Sequence, residues 1–238
     1  MSRLGGRWRG LLDRLRHTPL HPQWLLGPRR APDGVAAIAG TVLDIGAADR
    51  WIARQVNPAA RYVALDYPTT AVHRYGTRPH AYADAAALPL ATASVDAVVC
   101  IETLEHVAAF ERALAEIARV LKPGGRAFLS MPFLYPIHDA PHDHTRLTEH
   151  GWRVHLARAG LEAVRIEPRG AALEVAGVAA CLALAAPLAG RAPWAAAALA
   201  VVALPMIVLI NLATAAGRRV WPAWRGQCLG YAVEAVRP

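Results

Sequence analysis

The stretch TVLDIGAADR, Thr41 to Arg50, decides how the rest of the chain reads. Val42, Leu43 and Ile45 bracket Asp44, and Gly46 with two alanines then opens a helix-compatible run through Trp51 and Ile52. That order describes a buried strand, a tight turn and a helix start. A glycine at such a corner lets backbone come close to a ligand, and a helix start supplies unpaired N–H donors, so the stretch reads as a nucleotide-type cofactor site. The dinucleotide-binding glycine fingerprint is not met, because Ala48 and Arg50 stand where further glycines would. Asp44 lies inside the apolar strand, where an ionised side chain is costly without partners, and this gives it a site role.

Downstream of the turn, strands and helices alternate, as in a parallel sheet covered on both faces. The strand candidates are 41–46, 61–66, 80–83, 95–101, 126–131 and 161–167. Phe110, Leu114, Ile117 and Leu121 line one face of a helix over 107–121, which stops at Lys122-Pro123-Gly124-Gly125. A second helix runs from Thr148, a suitable N-cap, to Ala159, with Gly160 as the left-handed residue after it. Asp66 ends the second strand about twenty residues after the turn, where a carboxylate accepts hydrogen bonds from ribose hydroxyls. Its other reading is a capping residue before Pro68. Asp84 ends the third strand and puts a carboxylate near the base edge of the same ligand, or is an ordinary loop Asp.

Composition bounds the partners. The 238 residues carry a formal charge of +8 yet are 55% hydrophobic, which fits an anionic membrane surface better than nucleic acid, and no nucleic-acid partner is expected. Three scattered cysteines without C-x-x-C spacing suggest neither a disulfide framework nor a zinc site and fit a reducing cytoplasm. Residues 3–16 space Leu4, Trp8, Leu11, Leu12 and Leu15 helically between arginines, a basic amphipathic helix suited to anionic lipid or to packing on the domain. A Pro- and Gly-rich loop follows to Gly34. Residues 171–217 break the pattern: Ala171–Gly190 is apolar with a single charge, and Trp194–Ala216 is more apolar still. The second run alone would strand LGYAVEAV (229–236) across a membrane from its sheet, so a hairpin over 172–216 with both ends on the cytoplasmic face is expected. The organisation is then 1–34 as a basic segment and linker, 35–170 plus 226–238 as the catalytic domain, and 171–225 as an inserted membrane anchor.

Five stretches in order, VLDIGAAD, YVALDYP, ADAAALPLATASVDAVVCIETLEHV, RVLKPGGRAFLSMPF and LARAGLEAVRIEP, resemble the class I S-adenosylmethionine-dependent methyltransferases, in particular the type 11 group. The resemblance covers roughly Val35 to Pro168 and the final strand. It implies an α/β, Rossmann-like seven-stranded sheet whose last strand is antiparallel, with the apolar hairpin inserted before that strand. It also implies S-adenosylmethionine as cofactor, with Asp44, Gly46 and Ala48 at its methionine end, Asp66 on the ribose, Asp84 and Ala85 at the adenine, and Glu102 at its edge. Ala48 departs from the family's usual glycine; a positive φ there would cost alanine on the order of 1 kcal/mol.

After the fifth strand, PFLYPIHDAPHDHTRLT (132–148) crowds His138, Asp139, His142, Asp143, His144 and Arg146 into one loop at the carboxyl edge of the sheet, where open α/β sheets bind ligands. It resembles a subgroup pattern H-x-x-P-x-D-x-x-R-x-T. One reading is an acceptor site, with His138 or Asp143 taking a hydroxyl proton and Arg146 holding an anionic group. Another is a lid pinned by an Asp143–Arg146 pair. A metal site is the third, but no pair has the spacing of a known metal helix motif, and no metal is assigned. His106 either sits over the transferred methyl or caps the following helix. The resulting expectation is methyl transfer to a membrane-resident or lipid-linked acceptor at the cytoplasmic face. The alternatives are transfer to a soluble small molecule and a non-catalytic cofactor-binding scaffold.

Overall fold

The computed structural model describes residues 15–70, 78–188 and 193–238. The chain forms two compact units: residues 30–133, 137–169 and 230–238 make one, and residues 1–29, 134–136 and 170–229 the other.

The first unit is built on a seven-stranded sheet of β1 (Thr41–Ile45), β2 (Arg61–Asp66), β3 (Ala81–Tyr82), β4 (Val95–Ile101), β5 (Leu121–Pro132), β6 (Glu162–Arg169) and β7 (Gly230–Val236). Its order is β3-β2-β1-β4-β5-β7-β6. β7 runs antiparallel to both neighbours, with Phe128 opposite Glu234 and Ile166 opposite Val233, and the remaining pairs are parallel. The sheet is the Rossmann-like methyltransferase sheet that the motifs imply, and the tail is its seventh strand.

Its core follows from the apolar strands. Val42, Val99 and Phe128 are buried against Val35, Ile52 and Ala97. Helix α1 (Phe110–Val120) buries the stripe of Phe110, Leu114 and Ile117, while Leu121 already belongs to β5. The helix is shorter than the apolar spacing suggests because Leu104–His106 forms a separate 3-10 turn and Ala109 is the N-cap. Helix α2 (Glu149–Arg158) starts at Thr148, whose hydroxyl accepts the Gly151 N–H at 3.1 Å, and ends before Gly160 at φ +78°.

One expectation at the founding motif is corrected. No α-helix follows the turn; Trp51–Arg54 is a single 3-10 turn. Arg50 sits in the left-handed region at φ +56°, and Pro58 arrives seven residues after Trp51. That leaves too few residues for a stable helix.

The second unit holds helices α3 (Ala172–Ala185) and α4 (Pro193–Gly217), packed antiparallel: Gly177 meets Thr214, and Cys181 meets Ile207 and Asn211. A Cβ on Gly177 would lie 2.5 Å from the Thr214 hydroxyl, so this crossing needs glycine. The first helix gives way to a 3-10 turn at Ala186–Leu188, around Pro187. Residues 15–29 pack on the pair: Leu25 joins Val178 and Ala215, and the buried Asn211 amide donates to the carbonyls of Pro19 (2.7 Å) and His21 (3.0 Å). The basic helix expected over 3–16 falls almost wholly outside the described residues, as does the connecting turn at 189–192.

Candidate active site

The carboxyl ends of β1, β2, β4 and β5 gather the residues singled out in the sequence. At the end of β1, Gly46 has φ +72°, and a Cβ there would lie 2.2 Å from Thr103 Oγ1, so only glycine lets the turn after β1 pass the segment after β4. The Gly46 and Ala47 N–H groups both bond the Leu65 carbonyl. Ala48 follows at φ +48°, so the residue replacing the family's glycine does adopt the left-handed conformation.

Four carboxylates stand at this turn and at the neighbouring strand ends. Asp44, 3% exposed, accepts a hydrogen bond from the Tyr62 hydroxyl at 2.5 Å. Burial pushes its pKa up to about 7; the Tyr62 bond opposes the rise, and the charges of Asp66 and Asp49 add to it. Asp66 accepts the Ala48 N–H at 2.9 Å through Oδ2 and the Tyr67 N–H at 2.7 Å through Oδ1, while its burial raises its pKa. Asp66 therefore pins the turn as well as facing the ligand side. Asp84 is exposed and accepts the Ala86 N–H at 2.8 Å, the local turn of its alternative reading, with Ala85 buried beside it. Glu102 closes the edge after β4 in a left-handed conformation, φ +51°, held by the Ser130 hydroxyl at 2.6 Å. Buried acids crowded at a glycine turn suit a ligand that carries positive charge and hydroxyl groups. S-adenosylmethionine, with its sulfonium, ammonium and ribose, has that chemistry.

The loop after β5 is cross-braced. Arg146 makes two parallel bonds to Asp143, at 2.5 and 2.7 Å, and the same carboxylate accepts the His138 backbone N–H at 2.9 Å. Burial would raise the Asp143 pKa, but the Arg146 and His138 contacts hold it down at about 2. A carboxylate that acidic is a poor base, and its arginine is already occupied, so this pair is the internal pin of the lid reading. His138 stands differently: its Nδ1 lies 3.2 Å from Asp143 Oδ2 and its ring meets His106 edge-on at 4.9 Å. His106 does not cap α1, whose N-cap makes no side-chain bond; its Nδ1 lies 2.7 Å from the His142 carbonyl.

Sequence reasoning passed over Glu105. It is fully buried beneath the loop, its backbone carbonyl accepts the His144 N–H at 2.8 Å, and burial followed by the charge of Glu102 pushes its pKa up to about 8. The only signal was the spacing of Glu102, Glu105 and His106 directly after a strand end.

Residues 43–129 match the family model described as a methyltransferase domain. A probable S-adenosylmethionine-dependent methyltransferase of Mycobacterium tuberculosis is 38% identical over 99 residues, covering 40% of this chain and 36% of that protein. An O-methyltransferase of Pyrenophora dematioidea is 53% identical over 45 residues, 19% of this chain and 17% of that one. The chain spans about two fifths of the length of the first curated relatives it matches. The crystal structure of an S-adenosylmethionine-dependent methyltransferase from Mesorhizobium loti superposes with a TM-score of 0.51 at 16% identity, over 95% of this chain and 100% of that one, a likeness of fold. Residues 43–129 are thus similar to a methyltransferase domain, the sheet has the fold of the class I S-adenosylmethionine-dependent methyltransferases, and the likeness supports S-adenosylmethionine as the cofactor.

Proposed function

We propose that the protein transfers the methyl group of S-adenosylmethionine to an acceptor that resides in, or is linked to, membrane lipid on the cytoplasmic side. The observation carrying the membrane half is α4. Trp194–Gly217 has a mean hydropathy of 2.5 over its most apolar stretch, yet only 17% of that stretch is buried. A core helix of a soluble protein would be covered; here Val201, Val202 and Leu209 are each more than 60% exposed. Its 24 residues extend about 36 Å, enough for a hydrocarbon layer of about 30 Å. Trp194 at one end and Trp221 and Trp224 beyond the other are exposed, as interfacial aromatics are, and Arg218, Arg219 and Arg225 follow the helix. Helix α3 with its 3-10 extension covers 17 residues, about 26 Å, which suits a shorter partner that crosses at a thinned site or re-enters.

For the chemistry, direct displacement needs the acceptor lone pair in line with the sulfonium methyl, so positioning supplies most of the rate. A hydroxyl acceptor also has to lose its proton. His138, oriented through Nδ1 by Asp143, is the group placed to receive it, with Asp143 and Arg146 as positioning residues. His138→Ala is expected to lower turnover about 100-fold or more while leaving cofactor affinity within a few-fold. The decisive assay incubates detergent-purified protein with methyl-labelled S-adenosylmethionine and a membrane lipid extract. Label in the organic phase supports the reading, and label only in water-soluble products overturns its membrane half. Full recovery of the protein in the soluble fraction after a carbonate wash would do so as well.

A further inference from the structure

Beneath the loop after β5, Glu105 has no exposed surface, and neither of its carboxylate oxygens has a hydrogen-bond partner among the described residues. A buried carboxylate left in this state is expensive, so its surroundings call for explanation. The nearest nitrogens belong to two imidazoles: His106 Nε2 at 3.5 Å and His138 Nε2 at 3.8 Å from Oε1. Both distances are too long for hydrogen bonds. One ligand atom from each of the three residues falls within 4.8 Å of the others.

Each ring is engaged from its other side. His106 Nδ1 faces a backbone carbonyl, which only accepts, so Nδ1 carries the proton. His138 Nδ1 lies 3.2 Å from Asp143 Oδ2 and 3.5 Å from Arg146 Nη2, which donates. Both rings are engaged at Nδ1 and bring Nε2 to Glu105. Two imidazole nitrogens and a buried carboxyl with no hydrogen-bond partner among the described residues converge on one spot, a donor set that suits a cation able to displace a proton.

We propose that Glu105, His106 and His138 bind a divalent first-row transition ion of the zinc type. Bonds of about 2.0–2.1 Å at tetrahedral angles separate ligand atoms by about 3.4 Å, so the edges of 3.5 and 3.8 Å to Glu105 need a few tenths of an ångström of contraction, while the edge between the two histidines lies within 4.8 Å. Two imidazoles with one carboxylate favour zinc, cobalt or iron over magnesium, which takes mainly oxygen ligands. Asp143 and the His142 carbonyl are the outer partners that ligating histidines use to fix their rings. Asp139 Oδ2 lies 3.8 Å from His106 Nε2 at the rim. Three protein ligands leave a fourth position, and on the methyl-transfer reading that position takes an oxygen of the acceptor, whose proton the ion's charge would release to solvent in place of the base role proposed for His138 in the metal-free site.

The test uses the full chain, stripped with chelator and titrated with Co2+. Visible d–d bands of a four-coordinate complex should saturate at about one ion per chain and be displaced by Zn2+. His106→Ala and His138→Ala should each weaken binding by more than tenfold, and Glu105→Gln should shift the bands; circular dichroism checks that each variant is folded. Absence of one-to-one binding by the wild-type chain overturns the site, as does binding of Mg2+ with no effect of Zn2+, or equal binding by a folded His106→Ala, His138→Ala double variant. The titration does not depend on methyl transfer. Label transfer that persists in chelator, in a chain that does bind Co2+, overturns the acceptor role alone.

Discussion

Asp44 and Glu105 are both buried acids at the carboxyl edge of the same sheet, a few residues from the ends of β1 and β4, and the chain treats them differently. Asp44 receives the Tyr62 hydroxyl and stands beside Asp66, itself satisfied by two backbone N–H groups. Glu105 receives no hydrogen bond and faces two histidine rings braced from behind. The difference separates two uses of a buried charge. A carboxylate with its own donor is part of a preformed wall, poised for a ligand that adds to it. A carboxylate without one either keeps its proton or takes a cation in its place.

The sharpest way to break this contrast is at Asp66. Asp66→Ala removes charge-assisted bonds worth roughly 1.5–3 kcal/mol. Calorimetry should therefore show S-adenosylmethionine affinity falling by about tenfold to over a hundredfold. Because Asp66 also holds the Ala48 and Tyr67 N–H groups, the melting temperature should fall too, and Asp66→Asn should recover part of the stability but little of the affinity. Unchanged affinity would mean that the wall at β1 and β2 is not the cofactor's.

Next in size is the pairing of Tyr62→Phe with Glu105→Gln. The Asp44 pKa is raised in the folded chain to about 7, above the ordinary aspartate value of 3.8, so between those values the native state holds a proton that the unfolded chain has released. Its contribution to stability is complete below about pH 4 and declines as pH rises through about 7, by at most about 1.4 kcal/mol per pH unit. Tyr62 helps the ionised form, so Tyr62→Phe should cost about 1–3 kcal/mol at pH 8 and less at pH 5, read as denaturant midpoints. Glu105→Gln breaks no hydrogen bond and should leave the metal-free chain at least as stable at pH 8. Equal losses in both variants would erase the distinction between the two acids.

How far the sequence reaches is clear from the same residues. The β1 turn was legible because a buried strand ending in glycine has few other readings, and the tail was legible as β7 because its apolar run matches a strand that a seven-stranded sheet needs. The Lys122-Pro123-Gly124-Gly125 stop and the Thr148 cap are local chemistry and fall where the sequence puts them. The 3-10 turn at Trp51 was not legible, since the apolar run that suggested a helix also serves to bury Ile52 under β1 and β4. Glu105 was invisible for a related reason. Its meaning depends on His138, thirty-three residues away, and on loop bonds that orient a ring, and neither has a signature along the chain. Asp143 and Arg146 read in sequence either as a base with an anion clamp or as an internal pair, and their mutual bidentate bond has the geometry of the pair.

The smallest expected effect is also the cleanest test of the wall at β1. Ala48 adopts φ +48°, in a region that costs an L-residue with a Cβ roughly 1–2 kcal/mol. Glycine removes that strain but loses about 0.5–1 kcal/mol through the greater freedom of its unfolded chain. Ala48→Gly should therefore stabilise the protein by a net of about 0.5–1 kcal/mol. The Ala48 N–H that bonds Asp66 is backbone and survives the change, so cofactor affinity should stay within about twofold. Ala48→Val is the counterpart, since a β-branched side chain tolerates this conformation worse, and it should destabilise by more than glycine stabilises. A lower denaturant midpoint for Ala48→Gly would mean that the turn is relaxed with alanine in place. The strain at β1 would then lie elsewhere, and Arg50 at φ +56° would be the next residue to replace.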